Sequence, residues 1–206
     1  MGTLHGVFYG IVPFSRDSGI RKHSLYRMEQ SMEIARELGC RGVVFHTGLM
    51  PGLVMGETYR TDWLQSMADT FRHLLNKYSE LEIYCENMFD ESPDELAELA
   101  ELLKEQNRFG VCLDVGHMML VTEDAKQWVK KLSPYILHLH LNDNHLKYDE
   151  HLALGRGRID WPFVFSLLKK YGLMEKSFLL EVLGVEQITT SIEYAYDFIN
   201  AEMHGK

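Results

Sequence analysis

The sequence predicts an α/β fold with a parallel sheet. Short apolar segments rich in strand-forming residues alternate with amphipathic helical segments along the whole chain. Parallel strands need a crossover of about a dozen residues or more, and the helical segments supply such crossovers. The 206 residues include no linker and no low-complexity segment, so we expect a single domain over residues 1–206.

Six segments are predicted to be strands, because they are rich in Val, Ile, Leu, Phe and Tyr and are too short for helices. They are Thr3–Tyr9, Gly42–His46, Glu82–Asn87, Gly110–Val115, Ile136–Asn142 and Ser177–Leu183. Neither a Gly-x-Gly-x-x-Gly motif after the first strand nor a P-loop motif is present, so nucleotide binding lacks its usual fingerprint.

Apolar spacing and capping residues predict the helices. Gly39 ends the first one, whose core stripe is Leu25, Met28, Met32, Ala35 and Leu38. Ser92-Pro93-Asp94-Glu95 is typical of a capping box with proline at the first helical position, before the stripe Leu96, Leu99, Leu102 and Leu103. Thr122, Glu123 and Asp124 begin a further helix, and the last two are predicted at Trp161–Tyr171 and Glu186–Ile199.

The composition disfavours several classes of protein. With 46% hydrophobic and 25% charged residues the chain is typical of a soluble domain. Its apolar runs are far shorter than the roughly 20 residues that span a bilayer, and Met1 to Gly10 lacks a secretory signal. A net charge of -9 disfavours a large nucleic-acid footprint. Three widely spaced cysteines suit a reducing cytosol, so we expect a cytoplasmic protein.

Metal-capable side chains lie at or just past the carboxyl ends of the predicted strands. They are His5, His46, Glu86, Asp114 with His117, His140, and Glu181. In a (β/α) barrel these ends face one mouth, where active sites are built. Carboxylates and imidazoles that converge there from separate strands favour a divalent-metal site.

Each of these residues also has an ordinary structural explanation. Glu86 and Glu181 follow apolar residues, and a buried carboxylate is costly unless it is paired or bound to metal, so a structural ion pair is the alternative. His138 and His140 share a face by strand alternation. His140 lies nearer the mouth and is the better ligand candidate, whereas His138 is interpreted as a hydrogen-bonded interior residue. A lone His5 would be an ordinary histidine.

A loop after the fifth strand adds a short Asp-x-His pair. Asp149 and His151 could bind one metal together, and Gly155 and Gly157 allow tight backbone conformations next to them. Taken alone this is a weak signal, which gains weight from the preceding motifs.

The combined motifs resemble the xylose isomerase-like TIM barrel superfamily. They are His46-Thr47-Gly48, Glu86-Asn87, Asp114-Val115-Gly116-His117, His140-Leu141-Asn142-Asp143, Asp149-Glu150-His151, Leu154-Gly155-Arg156-Gly157 and Leu180-Glu181. That superfamily joins sugar isomerases and epimerases with endonuclease IV, which cleaves DNA at abasic sites. The resemblance covers essentially the whole chain.

The resemblance implies two sets of metal ligands. The set shared with the epimerase branch is Glu86, Asp114, His140 and Glu181. The further ligands of the three-zinc cluster in the endonuclease IV branch are His5, His46, His117, Asp149 and His151.

The position of His5 departs from the family pattern. Its counterpart lies on the third strand of an eight-stranded barrel, so we expect a TIM-type barrel shortened at the N-terminus to about six β/α units, where a usual barrel has about 250 residues. Open sheet edges need cover. We expect helices, a bridge between the first and last strands, or a second subunit in a homodimer to protect them.

The resemblance implies two enzymatic functions, of which the working prediction is a metal-dependent isomerase or epimerase of a small sugar or sugar phosphate. A divalent ion (Zn, Mn, Mg or Co) on the four shared ligands would polarise substrate oxygens, while Glu86 and Glu181, on opposite sides of a carbon, exchange its proton. His117 and Arg156 would contact substrate oxygens.

The alternative activity is that of an endonuclease IV-like zinc phosphoesterase acting at abasic sites, with up to three ions per chain. The full set of nine candidate ligands supports it, and the acidity and the shortened barrel make DNA a disfavoured partner. A third interpretation is a non-enzymatic barrel that binds metal structurally.

Overall fold

A computed structural model describes residues 2–50 and 56–203 of the chain, with side chains described as far as residue 196. The chain divides into two compact units, Met1–Cys112 (unit 1) and Leu113–Lys206 (unit 2). Strands alternate with helices in both units, as the sequence predicts.

Unit 1 is a parallel sheet with its crossover helices. Its strands pair in chain order, β1 with β2, β2 with β3, and β3 with β4. The last residue of β4, Asp114, already belongs to unit 2. The elements are β1 (Thr3–His5), α1 (Ser18–Glu37), β2 (Gly42–His46), α2 (Glu57–Lys77), β3 (Glu82–Glu86), α3 (Asp94–Leu102) and β4 (Phe109–Asp114).

Unit 2 continues the alternation. Its strands β5 and β6 pair in parallel, with His140 opposite Leu179 in the register. The elements are α4 (Val115–Val121), α5 (Ala125–Leu132), β5 (Ile136–Leu141), α6 (Trp161–Lys170), β6 (Ser177–Leu180) and α7 (Val185–Met203).

The described residues contain the six predicted strands, which confirms the expectation of about six β/α units. Strand β2 has the predicted bounds, whereas β1 and β6 end earlier than predicted, at His5 and Leu180. After β1 the chain turns, and the Ile11 N–H donates to the Phe8 carbonyl at 3.2 Å. After β6, Gly184 adopts a φ of +95° and directs the chain into α7.

Five predicted helices form, with three corrections of detail. Leu38 and Leu102 are 68% and 46% exposed and are not core residues, because each lies at a helix end where the apolar face has rotated toward solvent. The capping box is wrong: α3 begins at Asp94 with Pro93 as its N-cap and no side-chain capping bond. The Ser92 hydroxyl accepts from the Asp94 N–H at 3.1 Å, and the Glu95 carboxylate pairs with Arg60. The prediction that Gly39 ends α1 is confirmed by its φ of +66°.

Two helices were not predicted. In α2, Trp63, Met67, Phe71 and Leu74 recur at helical spacing and are buried, so the pattern was present in the sequence. In α4 the residues Val115–Val121 are almost uniformly apolar, and so short a segment shows no helical period.

Each unit has its own apolar core. In unit 1, α1 contacts β2 and α2 contacts β3, and their buried side chains include Met28, Met32 and Phe71. In unit 2, α5 contacts α6, and the Trp161 and Phe165 rings lie 5.4 Å apart. In the part of the chain that the structure describes, no helix is long and apolar enough to cross a membrane.

Candidate metal centre

Three predicted ligands of unit 1 meet at the carboxyl ends of neighbouring strands. His5 ends β1, His46 ends β2 and Glu86 ends β3, and the last two are partners in the parallel register. The His5 Nε2 lies 3.1 Å from the His46 Nε2, and these nitrogens lie 3.4 and 3.3 Å from the Glu86 Oε2. Parallel pairing therefore brings together residues that are separated by about 40 positions each along the chain.

The hydrogen bonds of this trio direct ring nitrogens toward one point. The His5 Nδ1–H donates to the Gly6 carbonyl at 2.9 Å, so in the neutral ring the Nε2 carries the lone pair. That lone pair faces the second imidazole and a carboxylate that is fully buried. The trio thus offers two nitrogens and one oxygen to a cation.

A buried aspartate that was not predicted supports the loops behind this trio. The Asp90 carboxylate accepts from the Thr47 hydroxyl at 3.0 Å and from the Met88 N–H at 2.7 Å, and the Trp63 indole donates to the Thr47 carbonyl. Burial raises the pKa of Asp90 to about 6. Asp90 thereby connects the residue after His46 with the segment after Glu86, and sequence spacing gave no sign of this role.

Asp114, His140 and Glu181 form a second group, in unit 2. One ligand atom from each lies within 4.8 Å of the others. The His140 Nδ1 and the Glu181 Oε2 are 2.8 Å apart, and the Glu181 N–H donates to the Leu141 carbonyl, which extends the β5–β6 pairing by one residue. Asp114 and His140 are fully buried.

The Asp114 carboxylate is oriented by two donors. The His117 N–H donates to its Oδ1 at 2.6 Å, which makes Asp114 the N-cap of α4. The Asn142 amide donates to its Oδ2 at 2.8 Å. Asn142 had not been predicted as a site residue, although its place directly after the strand that carries His140 was a usable signal.

His117, Asp149 and His151 form a third group, also in unit 2. The Asp149 Oδ2 lies 3.2 Å from the Nε2 of both histidines. The His151 Nδ1–H donates to the Glu181 carbonyl at 2.8 Å. Burial raises the pKa of Asp149, but hydrogen bonds from the two histidines outweigh it and hold that pKa below its ordinary value. The bond to Asp149 raises the pKa of His151 to about 9.

Three further residues, His138, Arg156 and His145, lie outside these groups. His138 is buried and bonds through its Nδ1 to the Ser177 hydroxyl at 2.8 Å, in keeping with a structural role. Arg156 is exposed on the loop that carries Asp149 and His151. His145 is exposed and pairs with Glu150.

The donor atoms in all three groups suit a divalent metal. Ligands of zinc lie about 2.0–2.2 Å from the ion, so two of them are at most about 4.4 Å apart. The 4.8 Å limit within each group is close to that separation, and small side-chain adjustments would reach it. Imidazole nitrogens with carboxylate oxygens are ligands that Zn, Mn and Co accept.

The fold and these clusters define a β/α protein with metal-capable side chains at its strand ends. A family model described as "Xylose isomerase-like TIM barrel" matches residues 2–201, and the chain belongs to this family.

The proteins similar to this chain carry names from both the epimerase and the AP endonuclease branches. An uncharacterized protein of Methanocaldococcus jannaschii is 28% identical over 181 residues, covering 82% of this chain and 60% of its own length. A "Probable AP endonuclease" of African swine fever virus is 25% identical, covering 83% of this chain and 60% of its own. A solved "D-tagatose 3-epimerase-like protein" is 25% identical with a TM-score of 0.78, covering 96% of this chain and 76% of its own. The chain spans 60–66% of the length of the curated relatives that it first matches.

The Asp149–His151 pair predicts a pH dependence of the metal-free protein. Because the folded pKa of His151, about 9, lies above its ordinary 6.5, the pair stabilises fully below pH 6.5 and loses this contribution as the pH rises through 9. We expect the melting temperature in EDTA to fall over that interval. The fall should be smaller in His151→Gln and unchanged in His145→Gln, and equal falls in all three proteins would contradict the assignment.

Proposed function

We propose that the protein is a divalent-metal-dependent isomerase or epimerase of a small sugar or sugar phosphate. The observation that carries the proposal is the group Asp114, His140 and Glu181, of which the first two are fully buried and which presents two carboxylates and an imidazole within 4.8 Å. Glu86, the fourth ligand implied by the family resemblance, is a fully buried carboxylate at the end of β3.

The proposed chemistry is proton transfer next to a polarised carbonyl. When bound, a divalent ion (Zn, Mn, Mg or Co) polarises adjacent oxygens of a hydroxy-carbonyl substrate. Glu86 and Glu181 are the proposed groups that remove and return the proton on carbon. His140 fixes the Glu181 carboxylate through the 2.8 Å contact. His117 and Arg156 are the proposed contacts to substrate oxygens, and the exposure of Arg156 leaves its guanidinium accessible to such oxygens.

A ketose is the first substrate to test. The solved relative with 25% identity and a TM-score of 0.78 is described as D-tagatose 3-epimerase-like. The net charge of -9 also favours a small substrate over a polyanionic one.

A second candidate is an endonuclease IV-like zinc phosphoesterase acting at abasic sites. Two specific observations favour it, the groups His5–His46–Glu86 and His117–Asp149–His151, because proton transfer at carbon does not require these additional ligands. The similarity to a viral protein described as a probable AP endonuclease also supports it.

Metal content and substrate use separate the two candidates. For the isomerase or epimerase we expect about one Mn, Mg, Co or Zn per chain by elemental analysis, with conversion of D-tagatose followed by chromatography. Three zinc ions per chain with cleavage of an abasic-site duplex would establish the second candidate instead. A chain that binds metal but converts neither probe would contradict both.

Glu181→Gln removes a carboxylate that both candidates need, while keeping its shape. We expect turnover to fall by about two to four orders of magnitude, the range typical of a lost acid or base. Glu175→Gln, an exposed position in the turn before β6, is the matched control and should retain full activity. Circular dichroism should show folded protein in both, and unchanged turnover in Glu181→Gln would overturn the site.

A homodimer remains the proposed assembly. The helix α7 exposes Ile192 (54%) and Tyr196 (63%) one turn apart, flanked by the acidic Glu186 and Glu193. The helix α1 exposes an apolar and basic stripe at intervals of seven, formed by Ile20, Arg27 and Ile34. Because large exposed apolar surfaces mark interaction sites and the two helices carry opposite charges, we propose that α7 of one copy contacts α1 of another.

Ile192→Glu tests this assembly. We expect the wild type to sediment with twice the mass of one chain and the variant to sediment as a monomer, because the substitution places a charge in the apolar contact. Thr189→Glu, an exposed substitution on the same helix, should weaken the association less. A monomeric wild type would contradict the proposal.

A further inference from the structure

A further buried carboxylate, Asp143, lies two residues after β5 and outside the metal-capable groups. It is fully buried, and each of its oxygens accepts two hydrogen bonds. The Oδ1 accepts from the Asn144 and Ile159 N–H groups at 2.8 and 3.2 Å. The Oδ2 accepts from the Gly155 N–H at 2.9 Å and from the Trp161 indole at 3.0 Å. Among the described residues these donors are all neutral N–H groups, and their arrangement satisfies both oxygens of the buried carboxyl group.

Three of the four donors belong to the segment 155–161, which follows Asp149 and His151 along the chain. The loop passes so close to the carboxylate that a Cβ on Gly157 would overlap the Asp143 Oδ1 and the Asn144 carbonyl oxygen. The Arg158 N–H also donates to that carbonyl, at 2.8 Å. Hydrogen bonds to Asp143 and to the adjacent Asn144 carbonyl thus fix the conformation of the segment 155–161.

The main chain of Asp143 holds the other part of the loop. Its N–H and carbonyl exchange two hydrogen bonds with Leu152, both of 2.8 Å, in an isolated antiparallel bridge. The residue before Leu152 is His151, whose φ of +48° lies in the left-handed region that non-glycine residues rarely adopt. A backbone in that region persists where its surroundings fix it, and here the bridge on the next residue does so.

That backbone conformation sets the direction of the His151 ring. The Nδ1–H reaches the Glu181 carbonyl at 2.8 Å, which leaves the Nε2 directed at Asp149. Since an imidazole whose one nitrogen donates to a carbonyl offers the other to a metal, the loop conformation decides whether His151 can act as a ligand.

We propose that Asp143 is a positioning residue that holds His151, and with it Asp149, in the orientation needed to bind a metal together with His117. Asp143 touches neither ligand side chain and acts through the bridge to Leu152 and the four N–H donors. The consequence for metal binding rests on the second candidate of the proposed function, which places a metal at this group, whereas the consequence for the His151 ring does not.

The test variant is Asp143→Asn. Its amide has the size of the carboxylate, but whichever way it lies, an NH2 group faces two N–H donors. Asp160→Asn is the matched control, because Asp160 lies on the same segment and caps α6 with one bond to the Phe163 N–H, a role that asparagine fills equally well.

The first readout needs no metal. In the metal-free wild type, histidine-selective ¹H–¹⁵N spectra should show a protonated, slowly exchanging Nδ1 for His151. We expect Asp143→Asn to lose that signature and Asp160→Asn to keep it. Asp143→Asn that is folded and retains the signature would overturn the proposal.

The second readout is metal affinity. We expect binding of Zn²⁺ at the group His117–Asp149–His151, measured by competition with a chelator, to weaken by about 10- to 100-fold in Asp143→Asn, the range found when residues behind a ligand are changed. If the wild type binds no metal at this group while Asp143→Asn still loses the His151 signature, the second candidate function fails and the positioning role stands.

Trp161→Phe keeps the test decisive should Asp143→Asn fail to fold. It removes one of the four donors and leaves the carboxylate in place. We expect Trp161→Phe to fold and to show faster exchange of the His151 Nδ1 proton than the wild type. The increase should be smaller than in Asp143→Asn. Exchange identical to that of the wild type would count against the proposal.

Discussion

The burial of carboxylates at strand ends is the constraint on which the rest of this structure depends. Glu86, Asp114 and Asp143 are fully buried, where an ionised carboxylate is stable only with hydrogen-bond donors or a cation near its oxygens. The structure meets this requirement in two ways. Asp143 is surrounded by N–H donors, whereas the Glu86 Oε2 faces the ring nitrogens of His5 and His46. The donors around Asp143 fix the conformation of a loop, whereas the imidazoles beside Glu86 could bind a metal ion together with it.

Within each unit, parallel strand pairing explains why side chains from distant positions in the chain lie close together. Each crossover makes the next strand run in the same direction, so the carboxyl ends of neighbouring strands lie side by side. One polar residue at each of these ends is enough to bring several side chains together. The two residues after β5, Asn142 and Asp143, both support other residues of the site. Asn142 orients the Asp114 carboxylate, and Asp143 organises the loop that carries Asp149 and His151. The topology therefore places the residues that orient the ligands as well as the ligands themselves.

Much of the fold was predictable because its signals are local. Strand composition, the glycine that ends α1 and the start of a helix at Thr122–Asp124 depend only on neighbours in sequence, and all three are confirmed. Leu38 and Leu102 were misassigned because periodicity does not tell where a helix stops contacting the core. The helix α4 was not predicted, because a segment of seven residues that are mostly apolar shows no helical period.

The candidate ligands were predictable from the sequence, but the residues that hold them in place were not. Histidines and carboxylates at strand ends are visible in the sequence, whereas the roles of Asp90 and Asp143 depend on donors that lie up to 43 positions away along the chain. The left-handed backbone of His151 is equally invisible, because it is imposed by a bridge between Asp143 and Leu152. Such contacts follow from the assembled fold, and spacing rules do not encode them.

The number of ions, rather than the fold, separates the two functions. The fold is common to epimerases and phosphoesterases, so function has to be argued from the site. A single ion would leave the His5 and His46 rings, with Nε2 atoms 3.1 Å apart, to be explained as a hydrogen-bonded pair beside a buried carboxylate. In that pair the His46 Nε2–H donates to the His5 Nε2, so both nitrogens are engaged with each other. A bound cation would take the same two nitrogens, so the metal content of this trio decides between the two explanations.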